Sequence, residues 1–174
     1  GGIPHHLIDI VDPDTPYNAS AFAESAARLI EEIVGRGRQP IVVGGSGFYI
    51  EALFHGLSPI PTVPEEVKKD VAACVRSDAH KAFRDLERCD PEIAQKLKVS
   101  DRQRISRALE VFASTGLPIS HFQTLDRVPA TTRRAIPFGL RWTRKRLYER
   151  INGRAIHMIA SGLVEEVRAL FERG

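Results

Sequence analysis

Pro40-Ile-Val-Val43, followed at once by Gly44-Gly45-Ser46-Gly47, organises the reading of the first third of the chain. The β-branched run ending in a glycine turn predicts a buried strand. Past the glycines, Phe48, Ile50, Ala52 and Leu53 suggest a helix. Upstream, Phe22, Ala26, Leu29, Ile30 and Ile33 recur at helical spacing. Asn18 or Ser20 can cap that helix, and Gly35 and Gly37 can stop it. Earlier still, His6-Leu-Ile-Asp-Ile10 is a short apolar run that ends at Asp12-Pro13, a turn signal. Strand, helix, strand, glycine turn and helix follow one another as in a parallel α/β sheet.

Pro59, Pro61 and Pro64 mark a boundary. From Glu65 to about Gln123 only short helical patterns occur. The clearest opens with Ser100 and Gln103 placed as a capping box, carries Ile105, Ala108, Leu109 and Phe112 on one face, and closes at Gly116 with Pro118 beyond. Thr124–Arg134 reads as a polar return linker. Ile136-Pro-Phe-Gly-Leu-Arg-Trp142 resumes strand texture, with Pro137 fitting an edge or entry position. Thr143 can cap a long helix to about Ala160, and Gly162 separates it from a second over Leu163–Glu172. The expected fold is therefore α/β: a partial parallel-sheet core over 1–60 and 135–174, interrupted by a helical insert over 61–134.

No apolar run reaches the roughly 18 residues of a membrane span, and the N-terminus lacks the layout of a signal peptide. Cys74 and Cys89 match no metal-site spacing, so a reduced, cytoplasmic protein is expected. The net charge of +3 hides an asymmetry. Residues 1–60 carry three basic against seven acidic side chains, while 96–154 carry fourteen basic against four acidic, a net of +10. A block this basic suits a polyanion as well as it suits a solvated surface.

Three groups of residues could carry chemistry. A glycine turn ahead of a helix lets a backbone approach an anion closely, and Ser46 adds a hydroxyl there. The stretch is neither a Walker motif nor a dinucleotide fingerprint, and a tight turn with no ligand reads equally well. Arg146, Arg150, Arg154 and His157 share one helical stripe. Leu147, Ile151, Ala155 and Met158 form a second stripe, expected to be a buried seam that would desolvate the arginines for a grip on phosphate. In Asp101-Arg-Gln-Arg-Ile-Ser-Arg107, Gln103 and Arg107 share a face with Arg104 beside it, an arrangement able to meet bases and phosphates. Each arginine group also reads as a solvated basic face. His5 and His6 point to opposite sides of an extended run and make a poor metal pair.

Taken together, PHHLIDIVDPDTPYNASAF (4–22), PIVVGGSGFYIEALFHGLSPIP (40–61), DRQRISRALEVFASTGLPIS (101–120) and RLYERINGRAIHMIASGLVEEVRALFERG (146–174) resemble the tRNA dimethylallyltransferase family, in its order and near its spacing. The resemblance implies a P-loop-NTPase-like nucleotide-binding core with an inserted helical, tRNA-binding domain. It implies transfer of a dimethylallyl group from dimethylallyl diphosphate to the exocyclic amine of an adenosine beside the anticodon, assisted by Mg²⁺. Ser46 stands where the family usually has threonine, at the reacting centre. Arg154 matches an arginine implied to hold the leaving pyrophosphate, with Gly44, Gly45 and Arg150 as further diphosphate contacts. Lys68 and the segment Gln103, Arg104, Ile105, Ser106 and Arg107 are implied to meet the tRNA anticodon stem-loop.

The family's opening P-loop, implied to bind diphosphate and Mg²⁺, and its proton-accepting aspartate have no counterpart in these residues. The expectation is an internal fragment, monomeric, with no metal ligands of its own and no transfer activity alone. An adenylate isopentenyltransferase acting on a free nucleotide, a P-loop nucleotide kinase and a non-catalytic RNA-binding module are the competing readings. The basic insert favours tRNA over a free nucleotide, and the glycine turn supplies no triphosphate site.

Overall fold

A computed structural model describes residues 2–173, so Gly1 and Gly174, the outer limits of the two expected core segments, lie outside the described residues. It contains nine helices among those residues and no strand. They are α1 (Ala19–Gly35), α2 (Gly47–His55), α3 (Glu65–Ser77), α4 (Ala79–Cys89), α5 (Pro91–Ala94), α6 (Arg102–Thr115), α7 (Ile119–Gln123), α8 (Arg144–Ala160) and α9 (Leu163–Glu172). None is long and apolar enough to cross a membrane.

The expected α/β parallel-sheet core is therefore overturned. Ile41, Val43, Ile136, Phe138 and Leu140 are 76–90% exposed, so no layer covers the runs read as strands. A strand satisfies its backbone N–H and C=O groups only across a ladder, and these runs have no partner. The His6–Ile10 run fails for a local reason as well. Leu7 and Asp9 have φ of 59° and 54°, which breaks an extended backbone twice.

The chain divides between Arg134 and Ala135 into two compact units. The first holds two hydrophobic clusters. In one, α1 presents Ala19, Ala23, Ala26 and Ile30 to Ala52 and Leu53 of α2. The small alanine face lets the two helices close together. Asn18 caps α1, its side chain accepting from the N–H groups of Ser20 and Ala21 at 3.0 and 3.1 Å. Gly37, at φ 68°, ends α1 in a paired turn: its N–H donates to Val34 O and that of Arg38 to Ile33 O.

The other cluster joins α3 to α7 around Leu86, Ile105 and Val111, all fully buried. Each such side chain contributes roughly 1.5–3 kcal/mol by leaving water. Asp90, 1% exposed, fastens this lobe from within. Its carboxylate accepts from Ile93 N–H at 3.1 Å and Ser120 N–H at 2.9 Å, tying the α4–α5 junction to α7.

The return segment 124–134 lies along the α1–α2 pair. Arg127 pairs with Glu51 at 2.9 Å, Thr131 N–H donates to Leu53 O at 3.3 Å, and Arg133 forks onto Glu31 at 2.9 and 2.7 Å. Gly56, at φ 78°, lies so near Val128 that a Cβ there would overlap the Val128 backbone.

The second unit consists of residues Ala135 to Thr143, neither helix nor strand, followed by α8 and α9. The expected buried seam is corrected here. Neither helix has a buried residue, and Leu147, Ile151 and Met158 are about half exposed. An apolar stripe fixes which face seeks a partner, but burial needs a second surface, and within this unit α8 packs against α9 alone among the described helices.

Candidate functional site

α3 and α6 pack side by side and leave a groove of about 440 Å³ between them. Its walls are Ala72, Val75 and Arg76 from α3, and Arg102, Gln103, Ser106, Arg107 and Glu110 from α6. Three residues expected to meet tRNA, Gln103, Ser106 and Arg107, thus line one surface. Lys68 lies one turn before Ala72 on the same face of α3, paired with Glu65 at 3.1 Å. Arg104 is outside the groove, exposed and 3.4 Å from Asp101. Ile105 is fully buried beneath it, so its side chain offers packing that holds the helix rather than a contact with a partner.

The cap of α6 shapes this surface. The expected capping box of Ser100 and Gln103 does not form; Asp101 caps instead, accepting from Arg104 N–H at 3.3 Å. Serine and aspartate are near-equal caps, and the shift of one residue moves Gln103 out of the position that would have engaged its amide. Among the described residues the Gln103 side chain has no hydrogen-bond partner, so the amide donor and acceptor of this groove-lining residue are both uncommitted. Ser106 Oγ donates to Glu110 at 3.2 Å, and Arg107 lies 3.6 Å from the same carboxylate.

Sequence reasoning missed Arg76 and Arg102. Arg76 follows Lys68 by eight positions, close to two helical turns, a spacing that could have pointed to it. Arg102 precedes Ser106 by one turn within the motif already singled out.

Ser46 is the N-terminal flanking residue of α2, exposed, with no capping hydrogen bond from its side chain. The hydroxyl is left for an outside partner, while the Tyr49 N–H of the first turn already donates to Ser46 O at 3.1 Å. Gly44, Gly45 and Gly47 have no positive φ, and a Cβ at any of them would meet nothing within 4 Å. Neither backbone conformation nor internal packing demands these glycines; what they provide is an unobstructed approach to the α2 N-terminus.

In the second unit, Arg146 pairs with Glu149 at 3.3 Å. Arg150 lies over the Trp142 ring, 4.7 Å from its centroid. Arg154 has no carboxylate within 4 Å among the described residues. Stacking occupies the face of the Arg150 guanidinium and leaves its in-plane N–H edge available to an anion. Among the described residues no group of three His, Cys, Asp or Glu side chains is arranged to hold a metal ion. Mg²⁺, which the resemblance implies, has no such ligand set among the described residues.

Comparison with known proteins agrees with the motifs. Residues 1–174 match the family described as IPP transferase. The tRNA dimethylallyltransferase 1 of Pelobacter propionicus is 41% identical over 175 residues, covering 100% of this chain and 57% of that protein. The tRNA dimethylallyltransferase of Geobacter sulfurreducens is 43% identical over 173 residues, covering 99% and 56%. This chain therefore spans just over half the length of these relatives. Among solved structures, a eukaryotic dimethylallyltransferase acting on tRNA matches with a TM-score of 0.74 at 28% identity, covering 99% of this chain and 43% of the other. The full-length tRNA isopentenylpyrophosphate transferase of Bacillus halodurans matches with a TM-score of 0.57 at 33% identity, covering 99% and 53%. With the match running the whole length of the sequence, the chain belongs to the IPP transferase family.

Proposed function

We propose that this chain is part of an enzyme that moves a dimethylallyl group from dimethylallyl diphosphate to the exocyclic amine of an adenosine next to the anticodon of tRNA. The observation that carries the RNA half of this reading is the uncommitted Gln103 amide held among Arg76, Arg102 and Arg107 in one groove. Arginines grip phosphates, and a glutamine amide reads base edges or ribose. The family membership and the names of the relatives support the chemical half.

In the reaction the adenine amine nitrogen attacks the allylic carbon, the carbon–oxygen bond to the diphosphate breaks, and pyrophosphate leaves with the bonding pair. The amine then gives up a proton. Negative charge grows on the departing oxygen, so groups that bind the leaving pyrophosphate more tightly than the bound diphosphate lower the barrier. Arg154, with the edge of Arg150, supplies such groups in the second unit. Ser46, with Gly44 and Gly45, supplies a hydroxyl and an unobstructed backbone at the α2 N-terminus for the diphosphate or the target nucleotide. A cytoplasmic setting and a monomeric protein belong to the same proposal.

The test is transfer of a labelled prenyl group by the whole enzyme, with an anticodon stem-loop or adenosine monophosphate as acceptor. Label in the stem-loop adenosine alone is expected. Label in the free nucleotide alone would replace tRNA by a nucleotide acceptor. RNA binding with no transfer to either acceptor would reduce the protein to a binding module.

A further inference from the structure

We propose that Arg76 and Arg102 form a two-sided clamp for one phosphodiester of the RNA backbone, spanning the groove between α3 and α6. The inference rests on the tRNA reading above and adds two residues to it. Three guanidinium groups, those of Arg76, Arg102 and Arg107, line this groove against a single carboxylate, Glu110. That carboxylate already accepts from Ser106 and faces Arg107 on its own helix. Among the described residues, neither Arg76 nor Arg102 has a carboxylate within 4 Å.

Position on the helices sharpens the argument. Arg76 is in the last turn of α3, where the helix dipole favours a cation and would explain it without a ligand. Arg102 is the first residue of α6, where the dipole opposes a cation; the one carboxylate at this helix end, the Asp101 cap, is engaged by the Arg104 N–H and guanidinium rather than by Arg102. A cation kept at an unfavourable helix end, facing Arg76 across the groove with Arg107 on its own wall, is relieved when an anion enters.

A phosphodiester fits better than a base. Arg76 and Arg102 are exposed and approach from opposite walls, so they can take the two non-bridging oxygens from two sides. Base reading is left to the neutral amide of Gln103. The clamp consequently positions RNA without reading its sequence.

The experiment measures the equilibrium affinity of the whole enzyme for an anticodon stem-loop as a function of salt, with Arg76→Ala, Arg102→Ala and Arg88→Ala compared. Arg88 is an exposed α4 arginine outside the groove, so it controls for loss of one charge anywhere on the surface. Each groove variant is expected to reduce the slope of log affinity against log salt by about 0.9, whatever base occupies the target position. Arg88→Ala should leave the slope unchanged. Unchanged slopes in both groove variants, or an equal change in all three, would overturn the clamp while leaving the tRNA reading standing. A parent enzyme that fails to bind the stem-loop would overturn both.

Discussion

The Arg150 guanidinium lies over the Trp142 ring at 4.7 Å, a stack that joins the entry of the second unit to the middle of α8. An arginine held by its face keeps one orientation and spends less entropy when its edge binds an anion. Trp142→Ala should therefore weaken pyrophosphate binding about two- to fivefold, the equivalent of about 0.5–1 kcal/mol of exposed stacking. Trp142→Phe should recover most of it. Inhibition of the transfer reaction by added pyrophosphate reads the effect, and equal inhibition of parent and alanine variant would deny Trp142 any positioning role.

Asp90 governs the stability of the α3–α7 lobe. Both its carboxylate oxygens accept backbone N–H groups, from Ile93 and from Ser120, inside a site that is 1% exposed. Asp90→Ala strands the Ser120 N–H and removes the α5 cap, at a cost of about 2–4 kcal/mol. Asp90→Asn turns an NH₂ group towards one of the two donors and should also destabilise. Urea unfolding measures both, and a loss below about 0.5 kcal/mol for the alanine variant would contradict the role.

Gly56→Ala tests how the return segment docks. At φ 78° any side chain is strained, and here the new methyl would meet the Val128 backbone. A loss of more than about 1 kcal/mol is expected. Faster hydrogen exchange should follow at Thr131, whose N–H donates to Leu53 O. Native exchange at Thr131 in a folded Gly56→Ala protein would show the contact to be dispensable.

The Arg133–Glu31 fork carries a pH dependence of known sign. Hydrogen bonding from Arg133 holds the Glu31 carboxyl below the ordinary glutamate range. A depressed carboxyl stabilises the fold above the unfolded-state pKa and loses that contribution as pH falls through the folded-state value. Arg133→Gln should return Glu31 to the ordinary range and flatten this part of the acid limb. Both side chains are about half exposed, so added salt should shrink the difference. An NMR titration of the Glu31 carboxyl in the two proteins checks it; identical midpoints would exclude the fork in solution.

Helices in this chain are written locally, and the two in the second unit were legible almost to the residue. α8 begins after Thr143 and α9 after Gly162, where those residues mark them, although the Thr143 side chain makes no capping hydrogen bond. The sheet was not legible, because a strand is a relation between segments. Pro40–Val43 and Ile136–Trp142 have the composition of strands, yet composition cannot supply the partner that satisfies their backbone, and both remain without regular structure and largely exposed. The groove falls between these cases. Gln103 and Arg107 share a face by helical arithmetic alone. Arg76 joins them only because α3 packs against α6, and its own neighbours, Val75 and Ser77, give no hint of that. The Asp101 cap shows the finest limit: two good capping residues stand side by side, and choosing the wrong one hid the free Gln103 amide.

The division of labour between the RNA surface and the diphosphate residues is the central claim, and steady-state kinetics of two charge reversals tests it most directly. In the whole enzyme, with tRNA and prenyl donor varied separately, Arg104→Glu should raise KM for tRNA. Arg154→Glu should lower kcat through the lost grip on the leaving pyrophosphate. If the two variants gave the same kinetic pattern, the separate roles assigned to α6 and α8 would be contradicted.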